Sequence, residues 1–407
     1  MARRKSQPAI PLLDAKGPDP FAFLCAKTQI ALVRNLKGIA FCPESPKAAE
    51  ALSRRIAETL KRRFGDDLTD LTADEGAGRA LASLYEIHEY DSRPDGYRLF
   101  ALRRPVGDTL LCEVLGANHL TFSLYAGGDE DFAERVRDLW AFVHGLEQDF
   151  DFACSERHGY LTAQLTLAGT GLRIRSWMHL RGLAHFGLLD TVRNFADLKH
   201  VKIDSGNHGD SAPGDLHIFF NAHTLGAPAP DIARHFQEVL RTVVRQEARA
   251  LLRLYCDEPF MLYDRLVRLQ ATSDVACLLG EEEGLDLMAD LRVGCLLGAL
   301  RPAKRFRGEG PFDFFKTAKR LEVLCVPRPG GGNPFEYVEA MKTFEDVLDG
   351  GLEFLMPADI REAFSERIPD RVFDVRSWRL EALRALLFRY MKRFTIDPAF
   401  GERALES

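Results

Sequence analysis

The stretch Gly159–Leu180, GYLTAQLTLAGTGLRIRSWMHL, predicts two strands joined by a glycine turn. Its first half is rich in residues that favour strands, and the run after Gly169-Thr170-Gly171 alternates apolar and polar side chains. Arg173 follows the last glycine by two positions. Such a loop can present backbone N–H groups and an arginine to an anion, or it can be a structural hairpin. The spacing alone favours the hairpin.

Composition restricts the class of protein. The chain has 407 residues, a formal net charge of −6 and 46% hydrophobic residues, which allows one large or two medium domains. The acidic balance gives no reason to expect binding to nucleic acid or to an anionic membrane. No apolar run approaches the ~18 residues of a membrane span, and the N-terminus has no apolar leader. The eight scattered cysteines lack a CxxC pair, which predicts reduced thiols in a cytoplasmic protein and neither disulfides nor zinc.

The segment GYLTA, five further residues and then GTGLR resemble the signature of the ATP:guanido phosphotransferases. These comprise the phosphagen kinases and, more similar to this chain, the bacterial protein arginine kinases. The family reads GYLTACPTNxGTGLR, whereas here Gln164 stands at the position of the cysteine. The resemblance implies that Arg173 contacts ATP, with the turn of Gly169, Thr170 and Gly171 beside it.

An earlier segment, TQIALVRNL at 28–36, resembles the family motif SRVRLARNL. Aligned on the shared Arg-Asn-Leu, the two arginines that hold nucleotide phosphates fall on Gln29 and Ala31, so this clamp is absent. Arg34 is kept, and the residue pattern predicts that it pairs with a surface carboxylate.

The turn at 115–121, LGANHLT, stands where the family has NEEDHLR. The family's glutamate that orients the guanidinium and acts as base falls on Ala117, and a phosphate arginine falls on Thr121. His119 is kept, either as a ligand contact or as a turn residue with no special role.

The polar loop 204–215, DSGNHGDSAPGD, stands where the family has RGxxGExxE. By the resemblance, Lys202 stands at the position of a phosphate-binding arginine of the family, and Asn207 stands at that of the second guanidinium-binding glutamate. Side-chain types that can bind metal also cluster here, but their spacing fits no familiar site and we expect no metal. These residues are Asp204, His208, Asp210, His217 and His223.

The resemblance implies an α+β fold in which a large, mainly antiparallel sheet is flanked by helices and followed by a helical C-terminal part. We expect a flexible tail at 1–20, a guanido-kinase-like core at 21–255 and a helical domain at 256–407. Apolar spacing predicts long helices at Asp129–Leu146 and at Asp231–Tyr255, with Asp231 as N-cap of the second. Further helices are predicted at Phe335–Leu348, Pro357–Glu366 and Ser377–Phe394.

Guanidino phosphoryl transfer needs carboxylates on the guanidinium, and arginines with Mg²⁺ on the phosphates. Both matching glutamates and the cysteine are absent, so the sequence predicts a pseudokinase that acts as a regulatory or protein-binding module. ATP and Mg²⁺ binding would be weak or lost. A protein partner is expected, either an arginine kinase or a component of proteolysis or stress response, and a homodimer is also open. The alternatives are an active phosphotransferase that uses Asp204, Asp210 or His119, and a different small-molecule site in the cleft.

Overall fold

The computed structural model describes residues 10, 12, 19–72, 94–103, 109–126, 130–204, 212–302, 385 and 394–407. Within these ranges the helices are α1 Pro20–Leu24, α2 Pro46–Phe64, α3 Phe132–Gly145, α4 Arg181–His185, α5 Leu189–Leu198, α6 Ala229–Asp257, α7 Pro259–Val275, α8 Glu281–Leu296 and α9 Pro398–Glu406. The strands are β1 Cys25–Arg34, β2 Leu68–Asp70, β3 Arg98–Arg103, β4 Thr109–Val114, β5 Leu120–Ala126, β6 Cys154–Ser155, β7 Gly159–Tyr160, β8 Leu172–His179, β9 Val201–Asp204, β10 Leu216–Asn221, β11 Leu300–Pro302 and β12 Phe394–Ile396.

One sheet of eight strands organises the described part of the chain. Its order is β2-β3-β4-β5-β1-β8-β10-β9, and all neighbouring strands run antiparallel. Strand β1 therefore lies near the middle, between β5 and β8. The predicted α+β class with a large antiparallel sheet is confirmed.

Alternation along β1 divides its side chains between the two faces of the sheet. Ile30 and Leu32 are fully buried in the main hydrophobic core, which helices α3 and α6 help to form. Helix α3 begins at Phe132 because Asp131 caps it, accepting hydrogen bonds from the backbone N–H groups of Ala133 and Glu134. The apolar face that predicted this helix is the face that packs inward.

Helix α6 runs over Ala229–Asp257 and so includes the predicted Asp231–Tyr255. The prediction that Asp231 is its N-cap is wrong: Pro228 is the cap residue, and Asp231 lies in the first turn. Proline is compatible with that first turn, where its missing N–H leaves no bond unmade. The helix therefore begins two residues earlier than the sequence pattern indicated.

The predicted first arm of the Gly159–Leu180 hairpin is wrong beyond Tyr160. The short strand β7 pairs with β6, and the backbone N–H of Leu161 donates to the carbonyl of Ala153. The next residues leave the sheet and form a 3-10 turn in which Leu165 is 87% exposed. The backbone partners of this segment come from its own preceding hairpin, which the alternation pattern does not reveal.

The C-terminal part contains an unpredicted pair of short strands besides helices α7, α8 and α9. Strand β11 pairs with β12, so Phe394, predicted as the end of a helix, lies in a strand. The predicted helices Phe335–Leu348 and Pro357–Glu366 lie outside the described residues. The division of the chain after residue 255 stays a prediction. Among the described helices, none is both long and apolar enough to cross a membrane.

Candidate functional site

Strand register places three of the family's site positions on one face of the sheet. Ala31 is directly opposite Arg173 on β8, and Gln29 is directly opposite Arg175. On the other side of β1, Ala31 is opposite Ser123 of β5. Because directly opposite residues share a face, these five side chains form one patch, here called the central polar face.

Arg173 lies half-buried in this patch. Its Nε is buried and has no hydrogen-bond partner among the residues that the structure describes. The retained arginine therefore is not locked into a structural ion pair at that nitrogen. Its position on the central polar face agrees with the nucleotide contact that the resemblance implies, which stays a prediction.

Two neutral side chains of the same patch also carry buried polar atoms without a partner in the described chain. These are Oε1 of Gln29 and Oγ of Ser123, and each residue is only 2% exposed. Buried polar groups are nearly always hydrogen-bonded, because leaving one unpaired forfeits its hydration. The two unpaired oxygens therefore make this patch a candidate binding site.

Lys202 lies on the same face, further toward the edge of the sheet. Phe220 of β10 is opposite both Arg175 and Lys202, which aligns the three residues across three strands. The Lys202 amino group is 3.0 Å from a carboxylate oxygen of Asp197, and the lysine side chain is 48% exposed. An ion pair at this exposure contributes little stability and can be exchanged for a ligand.

The loops that carry Ala117 and Gln164 meet at the end of β1. The side-chain oxygen of Asn118 accepts hydrogen bonds of 2.8 Å from the side chain of Asn35 and from the backbone N–H of Ala163. Ala117 and Gln164, each next to one of these contacts in the chain, are both exposed. Two positions that hold catalytic side chains in the family are therefore brought together here, and neither residue supplies a charge. Asn207 and Asp210 lie outside the described residues.

His119 is fully buried, and both of its ring nitrogens are occupied within the chain. Nδ1 accepts from the backbone N–H of Leu36 at 2.9 Å, and Nε2 lies 2.9 Å from the carbonyl of Ala40, to which it donates. Burial lowers the pKa of His119, which keeps the ring neutral in this arrangement. The geometry gives His119 a structural role, and contact with a ligand stays a prediction.

The glycine turn is closed upon itself. The N–H of Gly169 donates to the carbonyl of Tyr160 and that of Gly171 to the carbonyl of Leu167, so neither is available to an anion. A Cβ at Gly171 would lie 2.5 Å from the carbonyl oxygen of Val33, which explains the glycine there. The side chain of Thr170 accepts from the N–H of Leu172. These contacts favour a structural role for the turn over a phosphate cradle made of these two N–H groups.

Arg34 is buried against the glycine turn and does not lie at the surface. It is 1% exposed, its Nη1 donates to the carbonyls of Val33 and Thr170, and its guanidinium stacks 3.6 Å from the ring centre of Tyr160. Burial lowers the pKa of Arg34 to about 10. The predicted pairing with a surface carboxylate is wrong, because the aromatic ring of Tyr160 covers the guanidinium.

Sequence reasoning missed two members of the central polar face, Arg175 and Ser123. The signal for Arg175 was present, since residues two apart in a strand share a face and Arg175 follows Arg173 by two. Ser123 gives no such signal, because only the pairing of β5 with β1 brings it next to Ala31.

The side chains of the central polar face suit an anion better than a metal. Arginine side chains recognise phosphoryl oxygens, and Mg²⁺ bound with a nucleotide usually needs one or two carboxylates as well. No group of three or more metal-binding side chains occurs among the described residues. Asp204, one proposed substitute, is exposed at the end of β9 on the same side of the sheet as Lys202.

Comparison with known proteins places these features in a family. The model of the C-terminal catalytic domain of the ATP:guanido phosphotransferases matches residues 117–250. A protein-arginine kinase of Symbiobacterium thermophilum is 33% identical over 340 residues, which cover 79% of this chain and 92% of that protein. One of Pelotomaculum thermopropionicum is 27% identical over 301 residues, covering 69% and 80%.

Solved structures of two phosphagen kinases also match. The duplicated taurocyamine kinase of Schistosoma mansoni has a TM-score of 0.46 and 19% identity, over 60% of this chain and 36% of that one. Lombricine kinase has a TM-score of 0.44 and 17% identity, over 60% and 72%. The Symbiobacterium protein-arginine kinase is 33% identical to this chain along 92% of the kinase's length. The chain therefore belongs to the ATP:guanido phosphotransferase family, the family of the protein-arginine kinases.

Proposed function

We propose that this chain is a catalytically impaired family member, a pseudokinase, that acts as a regulatory or protein-binding module. One observation carries the proposal. Apart from Arg173, the family motif residues that the chain keeps make internal contacts that hold the fold together, whereas those that it has lost are the charged and nucleophilic ones. Kept residues with internal contacts are Arg34, Asn35, His119, Gly169 and Gly171. Replaced positions are Gln29, Ala31, Ala117 and Gln164.

The expected loss of rate follows from the chemistry that these positions serve. Removing a general base typically slows a reaction by ~10²–10⁴-fold. Removing an arginine that neutralises the transferring phosphoryl group can cost ~10³–10⁵-fold. Although such effects do not add simply, losing both kinds together leaves little activity. His119, one of the proposed substitutes, uses both ring nitrogens inside the fold, which supports impairment over substitution.

The test is ATP-dependent phosphorylation of arginine in a protein substrate by the purified chain. We expect no phosphoarginine above background, with an active protein-arginine kinase as the positive control of the assay. Phosphoarginine formation that disappears in Arg173→Gln, but persists in the exposed control Arg268→Gln, would overturn the proposal. Arg268 suits the control because it lies 74% exposed on α7, paired with Asp264.

The partner that we propose is a protein-arginine kinase, or a proteolysis or stress-response component, met in the cytoplasm. The support is family membership together with a fold kept after its charged site residues were lost. Mixing the purified chain with a protein-arginine kinase of the same organism tests this. A changed kinase rate, or a mixed complex by light scattering, is expected. An unchanged rate and two separate species would exclude the kinase as partner, and the homodimer alternative is read from the same scattering profile.

A further inference from the structure

A cavity of about 620 Å³ lies between helix α3 and the start of helix α6. One side of α3, the glycine turn at Thr170 and the first residues of α6 line it. None of the lining residues belongs to the central polar face, so the cavity is a separate site. Its volume lies within the range of small-molecule binding sites in proteins.

The α3 wall of the cavity is a helical stripe. Arg137, Trp140, Ala141 and His144 recur at spacings of three and four residues and therefore share one side of the helix. The opposite, apolar side of α3 packs into the core. Ala141 is exposed, and its small side chain leaves open the space that a larger residue would fill.

Both walls are held in place by the fold itself. The Trp140 ring meets the ring of Tyr160 edge-on at 5.8 Å between centres, and the guanidinium of Arg34 lies 5.1 Å from the Trp140 ring centre. Pro228 and Pro230 stand on the facing wall, where their rings fix the backbone. A preformed cavity binds a ligand without first ordering its own side chains.

The polar groups around this apolar space offer hydrogen-bond donors. The guanidinium of Arg137 and the indole N–H of Trp140 have no hydrogen-bond or ion-pair partner within the part of the chain that the structure describes. The hydroxyl oxygen of Thr170 accepts from a backbone N–H, which leaves its hydrogen to donate. The neighbouring acceptors are in use: the carbonyl of Thr170 accepts from Nη1 of Arg34, and that of Pro228 accepts from two N–H groups of α6.

The nearby carboxylates leave the charge of Arg137 unpaired. Glu147 accepts a hydrogen bond from the hydroxyl of Tyr160 and pairs with Nδ1 of His144 at 2.9 Å. Glu134, one turn before Arg137 on α3, makes no ion pair with it in the described structure. The guanidinium is therefore open to an anion from outside the described chain, and its planar fork of N–H groups matches a carboxylate.

We propose that this cavity binds a small organic acid that has an aromatic body. The ring lies against Trp140 and Ala141, the carboxylate pairs with Arg137, and the hydroxyl of Thr170 donates a further hydrogen bond. An aromatic ring suits the Trp140 wall, because aromatic pairs gain more than their buried area alone provides. The site involves no phosphoryl group, so it goes beyond the pseudokinase proposal and does not depend on it.

Titration of the full chain with cinnamate, followed by nuclear magnetic resonance, tests the proposal. The chain has three tryptophans, and loss of one indole N–H signal in Trp140→Phe assigns that of Trp140. We expect cinnamate to shift this signal in a saturable manner. Cinnamamide, a neutral molecule of nearly the same shape, should bind at least about tenfold more weakly, the usual scale for losing a charge-assisted pair.

Two variants separate the charge from the space. Arg137→Gln should bind cinnamate about as weakly as cinnamamide, because the guanidinium no longer distinguishes the acid from the amide. Ala141→Phe should bind neither probe, because the added ring fills the cavity. Both positions are exposed, so we expect both variants to fold, which circular dichroism checks. Arg268→Gln, which removes the same charge from an exposed site on α7, should bind as wild type does.

The proposal is overturned if wild type shows no saturable shift at millimolar cinnamate, or if it binds the acid and the amide equally well. Unchanged binding in Arg137→Gln or in Ala141→Phe would overturn it too. None of these results bears on the pseudokinase proposal, which the phosphoarginine assay decides separately.

Discussion

The side-chain oxygen of Asn118 accepts a 2.8 Å hydrogen bond from the side chain of Asn35. The same oxygen accepts from the backbone N–H of Ala163, and Asn35 returns a bond by accepting from the N–H of His119. The two buried amides thereby join the end of β1 to the loops of Ala117 and Gln164. This junction holds the two loops together without a charged group.

Asn118→Ala should therefore destabilise the protein. The change removes the acceptor of the Ala163 N–H and one of the two acceptors of the Asn35 side-chain amide, and we expect a loss of about 2–3 kcal/mol in the free energy of unfolding. Ala117→Ser, at the exposed neighbouring position, is the control and should change stability by less than about 0.5 kcal/mol. Equal stability of the two variants in urea denaturation would contradict the role given to Asn118.

Gly171→Ala tests the closed glycine turn. Gly171 has φ +70°, and an added Cβ would lie 2.5 Å from the carbonyl oxygen of Val33 and 2.7 Å from Nη1 of Arg34. Gly187 has a similar φ of +65° with nothing within 4 Å, so Gly187→Ala measures the backbone cost alone, about 1–2 kcal/mol. Gly171→Ala should lose clearly more than this in chemical denaturation. Similar losses would mean that the turn relaxes around the added methyl group.

The sequence was sufficient to predict the fold class and the helices with a long apolar face. Both predictions rest on patterns within short segments: the helical spacing of apolar residues and the family motifs. It was insufficient where a backbone partner comes from elsewhere in the chain. The N–H of Leu161 donates to the carbonyl of Ala153 in the preceding β6–β7 hairpin and not to the strand after the glycine turn, so the predicted first arm does not form.

Only some residues of the central polar face could be identified from the sequence. Gln29, Ala31 and Arg173 were identified through the family motifs, and strand register places all three on one face. Ser123 entered through the pairing of β5, a contact between distant segments. Arg34 was misjudged because Tyr160, which covers its guanidinium, lies far away in the sequence. The physical limit is the same in each case: burial by a distant segment decides whether a polar residue serves structure or binding.

His119 should make stability depend on pH on the acid side. Its Nδ1 accepts a hydrogen bond from Leu36, which the protonated ring cannot do, and burial lowers its pKa below 6.5. The unfolded chain then binds the proton more readily, so this contribution is complete above pH 6.5 and is lost as pH falls below it. Urea denaturation between pH 5 and 8 should show wild type losing stability toward pH 5 more steeply than His119→Gln. Parallel curves would contradict this.

Glu247 should act in the opposite direction. It is fully buried on α6 and accepts hydrogen bonds from the N–H groups of Gly182 and Leu183, and burial raises its pKa from 4.5 to about 8. Between these two values the folded protein binds the proton more readily than the unfolded chain does. The free energy of unfolding should therefore fall as pH rises from about 4.5 to about 8.

The matched variant for this prediction is Glu247→Gln, which cannot titrate. It loses one backbone acceptor at every pH, so it is expected to be less stable than wild type at pH 5, with the difference shrinking as pH approaches 8. Glu238→Gln, an exposed change on the same helix, controls for the removal of one negative charge. Denaturation curves at pH 5, 6.5 and 8 give the comparison. A stability difference between wild type and Glu247→Gln that stays constant, or that widens with rising pH, would show that the buried carboxyl is already ionised at pH 5.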